Sequence, residues 1–368
     1  MSEEQGNERK TIAFFIRLLL NVNIISGFIV FLSVIVLCVI LHIARDVFIP
    51  FVVAWFIVQV VRPIYRIGNK LHLHSYLNLI VVFIILIGLT ALFVRFIGVQ
   101  VKAFNEVYRR YSSVLIERYT AFMALLNITP EMFSGFDLSS VEILSFIKDS
   151  AFYITGFLVS LVNKIFMTTF FLMFMLIEAP YTERKIKKAF HGATGSRVRI
   201  ILGTISDQIS YYMLNQTLIS LVTAFFVWLV LFLLGVELAA GWAVLAFMLN
   251  FIPNVGSIIA TILPVVMAFI QYSTLLEPVL VLVVLGLLTA IQMIIGNIIG
   301  PKILSDSLEL SSTVILVSLL FWTMILGIPG AFLSVPIASV IKIICENVQS
   351  LHPVAVFMSN GNSIILEE

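Results

Sequence analysis

Long apolar blocks alternate along the chain with shorter segments that carry most of the charged side chains. A transmembrane helix needs about 20 apolar residues to cross roughly 30 Å of hydrocarbon, so blocks near that length predict spans. Two further blocks, 238–276 and 310–341, carry no charge and are longer than one span needs. The pattern predicts an all-α polytopic membrane protein with about six full spans, at 22–44, 47–61, 76–97, 151–177, 217–235 and 278–299.

The amino-acid composition agrees with a membrane protein. The 368 residues are 61% hydrophobic and 11% charged, whereas a soluble domain has about 25% charged residues. The net charge is only +2, and the sequence contains no Lys/Arg-rich patch with interleaved aromatic residues. We therefore expect the lipid bilayer as a partner and no nucleic acid.

The distribution of positive charge predicts an orientation in the membrane. The segments before residue 23, at 62–75 and at 178–216 carry three, three and six Lys and Arg residues. Cytoplasmic loops of membrane proteins are enriched in these residues, so we expect these segments and both termini on the cytoplasmic side. The segment 98–150 then lies outside.

Two segments outside the predicted spans are amphipathic. Apolar residues at helical spacing favour either a helix on the membrane surface or against a neighbouring subunit, or a connector that packs on the helix bundle. We prefer the connector, because single apolar stripes are usually covered by the protein's own helices. The two stripes consist of Phe104, Val107, Tyr111, Val114 and Leu115, and of Ile201, Leu202, Ile205, Ile209 and Met213.

The first long block carries the sequence NFIPNVGSIIATILP at 250–264. A straight helix over its 39 residues would be about 58 Å long, nearly twice the hydrocarbon thickness. Pro253 removes a backbone donor and Gly256 permits a positive φ, so we expect a break between two half-helices of roughly 14 residues. This predicts a re-entrant hairpin in which Asn254 caps the second half-helix.

The second long block repeats this arrangement with LGIPGAFLSVP at 326–336. Pro329, Gly330 and Pro336 lie near its centre, and an ordinary span precedes each block. Two units of one span plus one broken hairpin, entering from opposite sides, predict an inverted repeat of the kind found in secondary transporters. The alternative is that both blocks are proline-kinked spans, which gives eight spans in all.

Irregular backbone at membrane depth is tolerated only where protein or a watery cavity satisfies its polar groups. We therefore predict a binding site for a small-molecule substrate between the two hairpins. Lys164 is another candidate, but we expect it to reach the outer interface because the spans offer no carboxylate to pair with it. The predicted substrate-binding residues are Asn250, Pro253, Asn254, Gly256, Gln292, Asn297, Pro329 and Gly330.

These motifs, together with NIIGPKILSDSLELSS at 297–312 and FWTMILGIPGAFLSVPIASVIK at 321–342, resemble the AI-2E (autoinducer-2 exporter-like, PerM-type) family. The resemblance implies a multi-pass protein of the bacterial inner membrane that exports autoinducer-2 or a related small molecule by elevator-like motion. It also implies a homo-oligomer, with a pentamer expected. Family members often carry an acidic residue at the position of Gly296, so its absence here argues against coupling to an ion.

Three other functions are alternatives to the export of a small molecule. Other members of the family are described as Na⁺(Li⁺)/H⁺ antiporters, which normally need a carboxylate at membrane depth. A non-transporting scaffold acting through 98–150 would have no use for broken helices, and an enzyme on lipid-linked substrates would need acidic groups in the membrane. No P-loop, G-x-S-x-G or H-E-x-x-H motif occurs in the sequence, so we expect no catalytic activity, cofactor or metal.

The predicted parts of the chain follow from this assignment. They are spans one to three at 1–97, an extramembrane amphipathic segment at 98–150, the fourth span with a basic cytoplasmic loop at 151–216, a core of two span-plus-hairpin repeats at 217–349, and a cytoplasmic tail at 350–368.

Overall fold

The computed structural model describes residues 28–29, 31–70, 75–125, 163–179, 181–182, 184–186, 188–189, 192–272, 277–300, 302–303 and 310–360. The predicted all-α class is confirmed, since these residues form helices, turns and one isolated β-bridge between Leu310 and Ser359. The helices are α1 Phe31–Ile43, α2 Arg45–Lys70, α3 Ser75–Leu125, α4 163–179, α5 Gly192–Leu233, α6 Ala239–Leu249, α7 Val255–Gln271, α8 Glu277–Ile291, α9 Ser312–Leu326, α10 Ile328–Asn347 and α11 His352–Met358.

Several helices are long and apolar enough to cross a membrane. Within the described ranges, four meet this test on their own: Phe83–Tyr111, Gly195–Leu233, Val279–Gly296 and Ile328–Asn347. A fifth span is possible if Phe31–Ile43 and Arg45–Val61, which are bent by 92° relative to each other, count as one broken span. Helices α6, α7 and α9 are apolar but shorter. The chain is therefore a multi-pass membrane protein.

The predicted second span, 47–61, is part of a longer helix that runs through Pro63. Helix α2 continues beyond it to Lys70 and has 26 residues. A proline inside a helix removes one backbone donor, and the helix can continue when neighbouring groups accommodate the loss.

The third span and the segment after it form one helix of 51 residues, about 76 Å long at 1.5 Å per residue. Part of its extension packs on the protein, as we preferred: Val107 is buried with Val227 and Leu231, and Tyr111 packs against the same cluster. No helix boundary marks the predicted division at residue 97. The rest of the segment, 126–150, lies outside the described residues.

Helix α5 likewise joins the second amphipathic stripe to the fifth span in one helix of 42 residues. Ile205 and Ile209 are buried together with Phe56 of α2 and Leu333 of α10. Gln59 of α2 adds polar contacts, because its Oε1 accepts hydrogen bonds from two serines of α5. The donors are Ser206 Oγ at 2.8 Å and Ser210 Oγ at 3.1 Å.

Both long blocks break into two helices, but not symmetrically. The first breaks at 250–254 as predicted, into helices of 11 and 17 residues, about 16 and 26 Å long. The second breaks at Gly327, and Pro336 lies inside α10 without interrupting it. Its helices have 15 and 20 residues, so α10 at about 30 Å is long enough to span the hydrocarbon.

The breaks of the two hairpins meet in the interior. Ile252 from the first break is buried against Leu319 of α9 and Ala331 of α10. Next to it, the rings of Phe251 and Phe332 lie 6.4 Å apart. Apolar contact thus brings together two tips that are about 75 residues apart in the chain, and a cavity lies beside them.

Candidate functional site

A cavity of about 760 Å³ lies between the first hairpin, α5, the end of α8 and the beginning of the second hairpin. Small-molecule sites in proteins commonly have volumes of about 300–1,000 Å³. Its wall combines apolar side chains with many uncharged polar ones. The polar members are Tyr212, Gln216, Asn250, Asn254, Ser257, Thr261, Thr289, Gln292, Ser312 and Asn360.

Four of the eight predicted site residues line this cavity: Asn250, Pro253, Asn254 and Gln292. Gly256, Pro329 and Gly330 are not part of its wall. The side chain of Asn297 lies outside the described part of the structure.

Asn250 fixes the beginning of the first break to α5. Its backbone carbonyl accepts a hydrogen bond from Gln216 Nε2 at 2.6 Å, and its side-chain Nδ2 donates to Ser220 Oγ at 3.0 Å. Gln216 and Ser220 are one helical turn apart and both are buried. A carbonyl released by the broken helix is thereby satisfied without water, which is the requirement for an irregular backbone at membrane depth.

The break ends in a γ-turn centred on Asn254. The N–H of Val255 donates to the carbonyl of Pro253 at 2.6 Å, and Asn254 has φ 59° and ψ −53°. This backbone conformation is rare and strained for a residue with a side chain, with a cost on the order of 1–3 kcal/mol. Such strain tends to occur at functional sites.

Asn254 does not cap α7, so that part of our prediction is wrong. It occupies the N-cap position, but its side chain makes no capping hydrogen bond. A capping residue normally has β-region backbone angles that turn its side chain toward the N–H groups of the first turn, and the positive φ of Asn254 prevents this. Its side chain instead lines the cavity, while its carbonyl accepts a hydrogen bond from Ser257 Oγ at 2.8 Å.

Gly256 and Gly330 have the same packing role in the two hairpins. A Cβ at Gly256 would lie 1.8 Å from the carbonyl oxygen of Leu249, and one at Gly330 would lie 1.9 Å from that of Trp322. Each glycine is in the first turn of the second helix of its hairpin. Both therefore permit close helix approach rather than form the cavity wall.

Gln292 lies where α8 changes from α-helical to π-helical hydrogen bonding, over Gln292–Ile299. Its side chain is only 9% exposed, and its Oε1 has no hydrogen-bond partner among the described residues. π-Helical turns occur frequently at functional sites, and an unpaired buried carbonyl costs about 1–3 kcal/mol. Gln292 is thus a strong candidate for contact with a bound solute.

No charged side chain is among the described residues that line the cavity. Lys164 lies elsewhere and pairs at 3.5 Å with Asp46, a carboxylate that lies between the predicted spans 22–44 and 47–61 and not within one. Lys342 is buried in α10 and pairs with Glu346 at 3.1 Å. Within the part of the chain that the structure describes, no group of three or more His, Cys, Asp or Glu could hold a metal ion.

The contribution of α5 and of the C-terminal end to the cavity was not predicted from the sequence. Tyr212, Gln216 and Ile219 all line it from α5. Their spacing of four and three residues places them on one helix face, a pattern visible in the sequence. The predicted span 217–235 begins in the middle of this face, so the prediction divides the face between a loop and a span. Nothing in the sequence pattern indicated Asn360.

The sequence matches the model of a family described as AI-2E family transporter over residues 29–350. It is 30% identical to the AI-2 transport protein TqsA of Escherichia coli (strain K12) over 334 residues, which cover 89% of this chain and 94% of that protein. It is also 30% identical to the putative transport protein YhhT of the same strain over 340 residues, covering 89% and 93%. A putative transport protein of Borreliella burgdorferi is 35% identical over 252 residues, 68% of this chain and 65% of that protein. With a family match over most of its length, the chain belongs to the AI-2E family of transporters.

Proposed function

We propose that this transporter exports a small, uncharged, oxygen-rich solute of the autoinducer-2 type through the cavity beside the two hairpin breaks. The observation that carries the proposal is the wall of this cavity, which offers hydroxyl and amide groups and no charged side chain within the described residues. A relative named for AI-2 transport supports the same class of solute.

Hydrogen bonding to the wall gives the solute its specificity. Gln292 lines the wall, and a rotation of its side chain would present its unpaired Oε1 to a hydroxyl group of the solute. Asn254 and Thr261, from the first hairpin, supply further polar contacts. Each such bond contributes about 0.5–1.5 kcal/mol net. The cavity therefore prefers a solute with several hydroxyl groups to an apolar molecule of the same size.

Polar contacts join α5 and the first hairpin into one rigid body. At its base, Gln271 Nε2 donates to the carbonyl of Gly235 at 2.7 Å, and Gln271 Oε1 accepts from the N–H of Glu237 at 2.8 Å. Tyr272 adds a hydrogen bond from its hydroxyl to the carbonyl of Leu234 at 2.5 Å. The tip is held through Asn250, as described above. A unit fixed at both ends moves as a whole, which supports an elevator-like motion.

The proposal includes a topology and an assembly. In the proposed topology, the protein lies in the bacterial inner membrane with both termini in the cytoplasm. The hairpins are re-entrant and form an inverted repeat. In the proposed assembly, the chain forms a pentamer. A cysteine at the exposed position Lys302, in a variant lacking Cys38 and Cys345, tests the topology. Re-entrant hairpins predict no labelling by an impermeant maleimide in cells with a permeabilised outer membrane, and labelling would contradict them. Native mass spectrometry measures the number of subunits.

Transport is proposed to be independent of a Na⁺ gradient, because no carboxylate lines the described wall. Gly296 lines the cavity, and a Cβ there would meet nothing closer than Gln292 Oε1 at 4.0 Å, so the backbone leaves room for a side chain. We expect Gly296→Glu to make transport depend on pH, whereas the unmodified protein does not. Dependence of the unmodified protein on Na⁺ would favour the antiporter instead.

Two buried threonines provide a matched test of the cavity. Thr261 Oγ1 donates to the carbonyl of Ser257 at 2.9 Å, and Thr223 Oγ1 donates to that of Ile219 at 2.9 Å. Both are helical and buried, but only Thr261 lines the cavity. In liposomes with an autoinducer-2 gradient, we expect Thr261→Val to reduce transport roughly 2- to 12-fold, the equivalent of about 0.5–1.5 kcal/mol.

The same experiment contains its control. Thr223→Val should transport at nearly the rate of the unmodified protein at equal abundance in the membrane. Equal losses in both variants would show that the cavity is not the path of the solute, and no autoinducer-2 transport by the unmodified protein would refute the proposed solute.

A further inference from the structure

The C-terminal arm, residues 351–360, contributes to the wall of the cavity although it lies beyond the family match, which ends at residue 350. It consists of Leu351, α11 and the two residues after α11. Asn360 lines the cavity. Met358 packs against a buried cluster of Tyr212, Leu310, Val335 and Ala338, of which the first three also line the cavity.

A short backbone pairing attaches the arm to the chain just before α9. Leu310 and Ser359 form an isolated antiparallel bridge, and the N–H of Ser311 donates to the carbonyl of Met358 at 2.9 Å. Both partners of this bridge are next to the cavity. Leu310 lines it, and Ser359 directly precedes Asn360, which also lines it. Moving the arm away would therefore remove part of the wall.

The arm has features of an element that opens locally. The outer face of α11 is apolar and uncovered in this chain, with Phe357 86% and Val354 46% exposed, and only Ala355 of this helix is buried. Elements with few buried contacts belong to the low-stability end of a structure and can open without global unfolding. The first hairpin, held at its base and its tip, lacks this freedom.

We propose that the C-terminal arm is a movable wall of the transport cavity. Asn360 contacts the solute while the arm is attached, and detachment of the arm from the Leu310 segment lets the solute leave. The inference rests on the proposed function, since the cavity must be the path of the solute.

A reversible cross-link tests the movement. In an antiparallel bridge flanked by hydrogen bonds, as this one is, the paired Cα atoms are about 4.5 Å apart, within the range of about 4.4–6.8 Å for disulfides. We would introduce Leu310→Cys and Ser359→Cys into a protein that carries Cys38→Ser and Cys345→Ser. Because oxidation removes the detached state from the population, transport in liposomes should fall at least ~10-fold and recover on reduction.

The reduced form of the same protein shows that the variant is folded and active. Single variants with one cysteine, treated with the same oxidant, should not change their rates on oxidation. Unchanged transport by a fully cross-linked protein overturns the proposal. Absence of autoinducer-2 transport by the unmodified protein would instead refute the proposed function.

A distance measurement tests whether the arm detaches, and it needs no transported solute. Spin labels at Phe357 and at Leu320, both strongly exposed, should show two distance populations if the arm detaches. Labels at Leu233 and Val266, which are also exposed and belong to α5 and the first hairpin, should show one. A single population for the arm pair overturns the proposal.

Discussion

The first hairpin unwinds over residues 250–254, whereas the second breaks at Gly327 between two continuous helices. The first break carries two asparagines and a strained γ-turn, and it lines the cavity. The second break is apolar, and its Pro329 and Gly330 are not part of the wall. Similar Pro–Gly motifs thus form two different structures.

The difference lies in how each break satisfies its polar groups. In the first hairpin, buried side chains of α5 bond to Asn250, so several residues can leave the helix. In the second, the backbone at Gly327 satisfies its own polar groups: its N–H donates to the carbonyl of Thr323 at 2.8 Å, and its carbonyl accepts from the N–H of Gly330 at 2.9 Å. Away from the break, Ser318 Oγ of α9 donates to the carbonyl of Ser334 of α10 at 2.8 Å. A break whose polar groups have partners on another helix can remain open at membrane depth. In the proposed function, the first hairpin supplies most of the polar contacts to the solute, while the second contributes Ser312, Ile315 and Val335 to the wall.

The largest effects are expected at the glycines that both hairpins share. A Cβ at Gly256 or Gly330 would overlap a backbone carbonyl oxygen, so Gly256→Ala and Gly330→Ala should each destabilise the protein by about 1–3 kcal/mol or more. The measurement is the thermal unfolding midpoint of the detergent-solubilised protein.

Gly286→Ala is the matched control for these variants. Gly286 is helical, and nothing lies within 4 Å of a Cβ placed there. It should be neutral or gain about 0.5–1 kcal/mol from the lower flexibility of alanine. A normal unfolding midpoint for Gly330→Ala alone would mean that the second hairpin is packed more loosely than the first.

Backbone strain should separate stability from transport in the first hairpin. Glycine adopts the φ of 59° seen at Asn254 without strain, so Asn254→Gly should stabilise the protein by about 1 kcal/mol. It also removes a side chain from the cavity wall, and transport should fall. Unfolding midpoints and transport rates at equal abundance in liposomes test both parts.

Gly327 is the position in the second hairpin at which a substitution should lower stability but leave transport nearly unchanged. It has φ 71° and ψ −152°, a region that is essentially restricted to glycine, so Gly327→Ala should cost about 1–3 kcal/mol. The protein that still folds should transport at nearly the normal rate, because Gly327 does not line the cavity. Lost transport in the stable Gly327→Ala protein would remove the functional distinction between the hairpins.

The smallest effects are expected for single side-chain hydrogen bonds of the two hairpins. A double-mutant cycle of Asn250→Ala and Ser220→Ala should give a coupling energy of about 0.5–1.5 kcal/mol. Ser318→Ala in the second hairpin should cost a similar amount of stability. Only Asn250→Ala should also reduce transport in liposomes, and an equal reduction by Ser318→Ala would contradict the comparison.

The sequence alone determined the helical class, the position of the first break and four of the residues that line the cavity. A charge-free block of 39 residues cannot be a straight span, because about 58 Å of helix does not fit into roughly 30 Å of hydrocarbon. Pro253 and Gly256 then identify the region of the break, although the positive φ occurs at Asn254 and not at Gly256. These conclusions depend on helix length and local backbone chemistry, both of which can be read from neighbouring residues.

Only the tertiary structure decided which polar groups meet. Lys164 pairs with Asp46, which is more than 100 residues away in the sequence. The face of α5 that carries Tyr212 and Gln216 lines the same cavity as the first break. Asn254 looked like a helix cap, but the tight turn gives it a positive φ and directs its side chain to the cavity. The contribution of Asn360 depends on a bridge between Leu310 and Ser359. Such contacts follow from how helices pack, and periodicity within a single helix does not specify its neighbours.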